Sequence, residues 1–481
     1  MTSHAGAFVL GLDVGTSGVR AVAADRGGNA LAEAHTSISD PRPDSSIHEQ
    51  DPQEWWRATC STLKSTLKEL QNVAAAHAIL GVAVTSTSGS LVLTDAAGHP
   101  VRPAILYDDS RGAALARDLR RGLPSEAADF NASYSLVKAA WVRQKEPVIW
   151  ERARHLLHPA DWLSGKFTGQ FGTSDDSNAL KLGYDPEAGS WGSAVSLLGF
   201  PKGMLPRVVR PSAWVGTVCP RASEETGLKP GTPILAGATD GMASLIASGA
   251  REPGHANTTL GTTIVWKVLA RNKPGLAQGV YCHRHPCNLW APGAASNTGP
   301  GSLRSEKAGL ASSELDRTVA GYLPSSTLCY LLRSRGERFP FLNAGAEGFF
   351  EGDPATPAES YAAQLQSLAF VERWGYERLA DCGVAVGPEV FSTGSAAASP
   401  AFSQLRASVL RRKVYRCHFP TSAFGAAILA ASETLFGGDL KSALQDMIRV
   451  KGSDRPNPAA AEHFDRIYSS FRAACTRRGY A

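Results

Sequence analysis

The 481-residue chain has no run of about 18 consecutive apolar residues, the length a helix needs to cross a hydrocarbon core, so a membrane span is not expected. Nor does it open with a basic start, an apolar core and a small-residue cleavage site. Asp13 interrupts its first apolar run, and a secretory leader is not expected. Charge of either sign is scarce in excess: 49 Lys and Arg against 44 Asp and Glu leave +5. No stretch concentrates basic residues with interleaved aromatics, which argues against a nucleic-acid partner, and Arg411-Arg412-Lys413 reads as a solvated face. Neither a G-x-x-x-x-G-K-[ST] loop nor the catalytic-loop signature of protein kinases is present. The eight cysteines lack framework spacing, which fits reduced thiols in a cytoplasmic protein. One cluster, CHRHPC at Cys282 to Cys287, matches no standard zinc spacing and contains Pro286, so a turn between strands is expected there instead of a metal.

What is present begins with 43% hydrophobic and 19% charged residues, the balance of a globular protein, over a length that implies two or three domains. Ala7 to Asp25 reads AFVLGLDVGTSGVRAVAAD. Its first eight residues are apolar or Gly except Asp13, with no 3.6-residue stripe, as in a strand buried on both faces. A carboxylate at the end of such a strand is costly to bury without a cation or hydrogen bonds. The turn Gly15-Thr16-Ser17-Gly18 leads into a second strand, Val19 to Ala24. Glycines flanking two hydroxyls could converge N–H groups on a phosphate in a nest-type cradle, with Asp13 holding Mg²⁺ at its base. An ordinary tight hairpin would read the same.

The segment HEQDPQEWWRATCSTLKSTLKEL predicts a helix with Asp51 as N-cap, Pro52 at the first helical position and Glu54 three residues after the cap. Trp56, Cys60, Leu63, Leu67 and Leu70 fall on its core face. A strand over Leu80 to Ser86 runs into Ser86-Thr87-Ser88-Gly89-Ser90, whose hydroxyls could bond a sugar or merely make a turn. A hairpin, Leu91 to Asp95 and Val101 to Tyr107, ends in YDDSR, where Asp109 and Arg111 leave an apolar strand as a ligand contact or a salt-bridged helix start. Thr232 to Ala238 is a strand entering Thr239-Asp240-Gly241 and a small-residue helix. Asp240 therefore stands at a helix N-terminus, where amide dipoles favour its ionised form, as an N-cap or as a rigidly held base.

Thr258 to Lys267, TTLGTTIVWK, repeats the strand, Gly-hydroxyl tip and strand of the opening hairpin. This echo across the chain implies an internally duplicated architecture and is more specific than either hairpin alone. Leu289 to Ala294 is a strand before the turn ASNTGPGS; Thr356, Pro357 and Glu359 start a long helix to Asp381; and Val390 to Thr393 enters the loop from Gly394 through Ser395 to Pro400. The small residues of that loop could admit a flat ring or a close helix–strand contact. Helices over Phe402 to Leu410 and Phe424 to Leu435 complete the second half, and an amphipathic helix from Ala459 ends the chain.

The motifs LGLDVGTSGVRA, HEQDPQEWW, YDDSR, AGATDGMASLIASGA and TLGTTIVWK, with the loop from Gly394, occur in an order that resembles the FGGY family of carbohydrate kinases over essentially the whole chain. ADWLSGKFTG (Ala160 to Gly169), SNALKLGY (Ser177 to Tyr184), GAASNTGPGSLR (Gly293 to Arg304) and SRGERFP (Ser334 to Pro340) are similar to the plant and cyanobacterial D-ribulose kinase group, which is xylulose kinase-like. The resemblance implies an α/β fold of two actin-like (ribonuclease H-like) domains flanking a central cleft, with the sugar mainly on the first domain and ATP mainly on the second. The expected divisions are 1–231, 232–455 and a C-terminal helix over 456–481, whose return to the first domain is left open.

By that resemblance Asp240 is the general base and Asp13 the Mg²⁺ ligand. Gly15, Thr16 and Ser17, with Gly261, Thr262 and Thr263, lie near phosphates. Gly394 and Ser395 border adenosine, with Asn297 on the nucleotide side, while Ser88, Asp109, Asp13 and Asp240 contact the sugar. The implied reaction moves the γ-phosphoryl of Mg-ATP to the terminal hydroxyl of a ketopentose, D-ribulose giving D-ribulose 5-phosphate, with D-xylulose or a polyol as the alternative within the family. A non-catalytic actin-like ATPase or sugar sensor is the reading from another class, and the acid at position 240 argues against it. Partners are then a small sugar and ATP, with neither nucleic acid nor membrane, for a cytoplasmic monomer or homodimer. The chain departs from the family where a run of glycines gives way to Ser395, Ala396 and Ala397, whose Cβ atoms limit approach to a base. YDDSR keeps an Asp and an Arg resembling xylulose kinases.

Overall fold

A computed structural model describes residues 6–39, 47–73, 78–122, 130–275, 279–303 and 318–480. It divides into two compact units: Met1–Ala247 with Thr421–Ile448, and Ser248–Pro420 with Arg449–Ala481.

The first unit carries a six-stranded sheet of β1 (Ala7–Gly15), β2 (Gly18–Asp25), β3 (Ala30–Ser37), β4 (Ala78–Ser86), β5 (Trp214–Thr217) and β6 (Pro233–Leu235), in the spatial order β5-β6-β4-β1-β2-β3. β1, β2 and β3 form an antiparallel meander, while β4 and β6 run parallel to β1. β1 is buried on both faces, as its unstriped apolar sequence requires, with Phe8, Val9, Leu10, Leu12 and Val14 all in the core. β3 has no strand signal of its own in the sequence. Its alternating, Ala-rich residues carry little strand propensity, and pairing with β2 supplies the order. The expected hairpin after β4 is reduced to isolated bridges at Leu91–Ile105 and Thr94–Pro100, since Val92–Thr94 pairs instead with His155–Leu157.

The helix Pro52–Val73 starts as its sequence signals, Asp51 Oδ1 accepting the Gln53 N–H at 3.0 Å, and buries Trp55, Trp56, Leu63 and Leu70.

The second unit carries a seven-stranded sheet of β7 (Ala256–Leu260), β8 (Ile264–Val268), β9 (Val280–His285), β10 (Leu289–Ala295), β11 (Glu389–Thr393), β12 (Lys413–Cys417) and β13 (Val450–Asp454), ordered β9-β10-β8-β7-β11-β12-β13. β7 pairs antiparallel with β8 and parallel with β11, and β12 is parallel to β11. The run β10-β8-β7-β11-β12-β13 thus has the order and directions of β3-β2-β1-β4-β6-β5, which gives the predicted duplication a topological form. Beneath this sheet Glu372 and Arg406, both fully buried, form a two-pronged ion pair with contacts of 2.6 and 2.7 Å, and Arg406 also donates to Ser392 on β11.

The divisions fall elsewhere than at 231 and 455. β6 pairs with β4, which keeps residues 233–247 in the first unit. The helix Ser422–Thr434 lies on β1: a Cβ on Gly11 would stand 1.9 Å from the Ala423 carbonyl oxygen and 2.3 Å from the Ala427 nitrogen. Gly425 is pressed equally hard against the Ala243 carbonyl of the helix Asp240–Ser248. The terminal helix Pro458–Arg477 places Phe464, Tyr468, Phe471 and Cys475 in the core of the second unit, which answers its open course. Gly11→Ala is expected to cost roughly 1–3 kcal/mol through forced backbone separation, read as a lower thermal or urea midpoint. An unchanged midpoint would mean that the helix does not sit on the strand.

Candidate functional site

Asp13 sits at the end of β1, opposite Arg20 on β2 and Thr85 on β4. β4 and β6 then deliver Asp240: Thr85 donates its hydroxyl to the Ala238 carbonyl at 2.6 Å, Ser86 bridges to Thr239, and the helix begins at Asp240. Asp240 Oδ1 accepts the Gly241 N–H at 2.7 Å. The two acids therefore share one end of the first sheet, Asp240 close enough that its charge acts on Asp13. Burial, and then the charge of Asp240, push the Asp13 carboxyl up to about 7, against smaller opposing effects of Arg20 and the Ser422 hydroxyl. Asp13 Oδ1 is sealed from solvent with no hydrogen-bond partner among the described residues. A buried, unbonded carboxylate oxygen facing a second acid fits a divalent cation, which would relieve both the desolvation and the repulsion.

Two helix N-termini meet here. Ser422 opens the helix Ser422–Thr434, and its hydroxyl lies 3.1 Å from that of Ser244 in the helix that Asp240 opens.

Gly15 and Thr16 of the first tip pack beside Gln50, Thr87 and Pro159. Gln50 donates to the Thr16 carbonyl at 2.7 Å and is itself held by the Trp55 indole. Neither this tip nor Gly261-Thr262-Thr263 contains a residue in the left-handed φ region, which favours the ordinary tight hairpin over a nest-type cradle. Gly18 serves close packing instead, since a Cβ there would meet Thr36 O and the His35 ring on β3.

Ser88 follows β4 with its Oγ buried and unbonded among the described residues, the second such atom to coincide with an expected contact. Asp109 is different. Its two oxygens are filled by Arg111 Nε and Nη2 at 2.7–3.0 Å and by the backbone N–H groups of Arg111 and His48, so it works first as a buried anchor for Arg111.

In the second unit, Thr262 and Thr263 pack on the turn after β10, and Asn297 of that turn donates its amide to the Gly336 carbonyl at 3.0 Å. Gly394, at φ 87°, abuts Leu260: a Cβ would lie 2.5 Å from its carbonyl oxygen, so the missing side chain serves the β7–β11 contact. Ser395 is exposed beside it.

Sequence reasoning missed Lys138 and Lys181. Buried Lys138 donates to the carbonyls of Tyr107 and Ala132, and Lys181 donates to that of Ser88 at 3.1 Å. Burial, then the neighbouring Lys181, bring the Lys138 ammonium down to about 7, with Asp109 and Asp108 opposing. The signal was a cation inside the apolar run SLVKAAWV.

Comparison with known proteins bears on the family and the fold. Residues 8–247 match the N-terminal domain of the FGGY family of carbohydrate kinases and residues 260–434 its C-terminal domain. The chain is 25% identical to xylulose kinase of Staphylococcus epidermidis strain RP62A over 97% of its length and 96% of that protein's, and 27% identical to xylulose kinase of Escherichia coli K12 over 88% and 89%. Among solved structures, a Brucella ovis xylulose kinase superposes with TM-score 0.87 at 25% identity, covering 98% of this chain and 99% of that one, and the Rhodospirillum rubrum xylulose kinase with 0.85 at 25%, covering 98% of each. The chain belongs to the FGGY family of carbohydrate kinases, with two actin-like α/β units, and is a sugar kinase with ATP as co-substrate. No described helix is long and apolar enough to cross a membrane.

The raised carboxyl of Asp13 carries a signed expectation. Without a cation its ionisation penalty is absent below the unfolded value of about 4 and appears as pH rises toward 7, so Asp13 lowers stability at pH 8 relative to pH 5. Asp13→Asn should raise the melting temperature of metal-free protein more at pH 8 than at pH 5, where only part of the penalty is present. Equal shifts at both values would refute the assigned ionisation.

Proposed function

We propose that the protein transfers the γ-phosphoryl group of ATP to the terminal hydroxyl of a ketopentose, with Asp240 as general base and Asp13 as Mg²⁺ ligand. The pairing of Asp13 with Asp240 carries this reading. Asp240 is rigidly placed on a helix start, where the amide dipoles favour its carboxylate, and that carboxylate would take the hydroxyl proton as the oxygen attacks phosphorus and ADP leaves. Bound Mg²⁺ would supply charge neutralisation of the phosphates. Ser88, with its unbonded hydroxyl, would orient the sugar, and Asp109 would act mainly by fixing Arg111 and the backbone around His48. Gly15, Thr16 and Ser17 would border the transferring group. The tip Gly261-Thr262-Thr263, Asn297 and the Gly394-Ser395 loop would hold the nucleotide.

Two acceptors stand forward. The segments ADWLSGKFTG, SNALKLGY and SRGERFP favour D-ribulose. The names of the relatives fit D-xylulose at least as well.

Asp240→Asn should lower turnover by roughly 10²- to 10⁴-fold while the thermal midpoint stays near that of the parent. Turnover within a few-fold of the parent would remove Asp240 as base. ADP release across D-ribulose, D-xylulose and polyols assigns the acceptor, and no turnover of either ketopentose would overturn the ketopentose reading.

A further inference from the structure

The tip Gly261-Thr262-Thr263 is a short turn with few bonds of its own, Gly261 N–H donating to Thr263 O at 3.2 Å. Its shape is imposed by the turn after β10. Ile264 N–H donates to Thr298 O at 2.8 Å, Ser296 N–H to Ile264 O at 3.0 Å and Gly301 N–H to Thr262 O at 3.2 Å. Contact is backbone on backbone: a Cβ on Gly299 would lie 2.5 Å from Thr263 Cα, and one on Gly301 2.8 Å from Thr262 Cα. Where the 296–301 turn goes, the tip follows.

That turn hangs on one buried carboxylate. Glu337, 2% exposed, accepts Asn297 N–H at 2.7 Å and Arg338 N–H at 2.9 Å on Oε1, and Ser296 Oγ and Tyr330 OH at 2.7 Å each on Oε2. Ser296 Oγ in turn accepts Thr298 N–H at 2.9 Å, Asn297 bonds Gly336 O, and Arg338 bonds Ser296 O at 3.2 Å. Burial, and then the charge of Glu337, hold the Tyr330 phenol well above its usual range, so it remains a donor. Two further hydroxyls of the same turn, Thr298 Oγ1 and Ser302 Oγ, are buried and unbonded among the described residues. A buried carboxylate that takes the Asn297 N–H and the Ser296 hydroxyl of the turn, and is itself held by Arg338 N–H and Tyr330 OH, is a device for holding that turn still.

We propose that Glu337 is the positioning residue of the nucleotide-binding tip: it fixes the 296–301 turn, and that turn fixes Gly261, Thr262 and Thr263 for binding ATP phosphates. This rests on the reading of the second unit as the nucleotide-binding one. Glu337 does not itself touch the nucleotide.

The test uses the full-length chain, with Mg-ADP affinity by calorimetry, KM for the ketopentose and melting temperature for each variant. Glu337→Ala should weaken Mg-ADP binding roughly tenfold, a displacement of the tip by a fraction of an ångström being sufficient, and leave the sugar KM unchanged. Glu337→Gln keeps an acceptor for Asn297 N–H and should recover most of the loss. Gly301→Ala, which moves the tip without touching Glu337, should reproduce the effect and stands in if Glu337→Ala does not fold. Unchanged Mg-ADP affinity in folded Glu337→Ala or in Gly301→Ala, or a sugar KM that rises in parallel, overturns the proposal. Failure of the parent protein to bind Mg-ADP at all would instead remove the assignment of the second unit, so the two failures are told apart.

Discussion

Two acidic side chains placed side by side at the end of one sheet are the constraint on which the first unit depends. Asp13 would not be held in such company by its own preference, since burial and the charge of Asp240 make it harder to ionise. Their proximity is imposed by backbone. β6 reaches β4 so closely that a Cβ on Gly237 would stand 1.8 Å from the Val84 carbonyl oxygen, and Gly11 and Gly425 let the Ser422–Thr434 helix lie directly on β1 and on the helix that Asp240 opens. Close packing has thus been used to hold an electrostatic arrangement that relaxes only when a cation or a proton arrives.

The second unit solves a different problem with different chemistry. Its hairpin tip carries no acid, and neutral hydroxyls and N–H groups suit a polyanion without adding repulsion. Rigidity comes from below: the buried Glu372–Arg406 pair lies under β7 and β11, with Thr258 bonded to Glu372, and Glu337 gathers the turn behind the tip. Such ion pairs add little net stability after desolvation, but they leave the attached backbone few alternatives.

Much of this was legible in the sequence. Both hairpins, the helix start at Asp51, the Thr356 cap that bonds Glu359 N–H, and the placement of Asp240 at a helix N-terminus follow from short-range rules. Long-range choices were not legible. The helix Ser422–Thr434 is so uniformly small and buried that no polar stripe says which sheet it will join, and the terminal helix has a clear apolar face but no mark of its destination. Asp109 read as either a ligand contact or a salt-bridged helix start because the sequence shows its carboxylate without showing that Arg111 and the His48 N–H fill it. Lys138 and Glu337 are charges whose partners are chiefly main-chain atoms, which leave no signature in the side-chain pattern.

The matching strand orders bring out a difference in charge. Superimposing the hairpins by their glycines sets Asp13 against Thr259, whose hydroxyl rests 2.8 Å from that of Thr393, just as Asp13 neighbours Thr85. Ser422, opening the helix that follows β12, stands likewise to Asp240, opening the helix that follows β6. The first hairpin thus carries an acid where the second carries a hydroxyl, and the helix after β6 opens on an acid where the helix after β12 opens on a hydroxyl. A repeated strand order therefore does not carry a repeated charge: the two sheets share a path of the chain and differ in what stands at the ends of the matching elements.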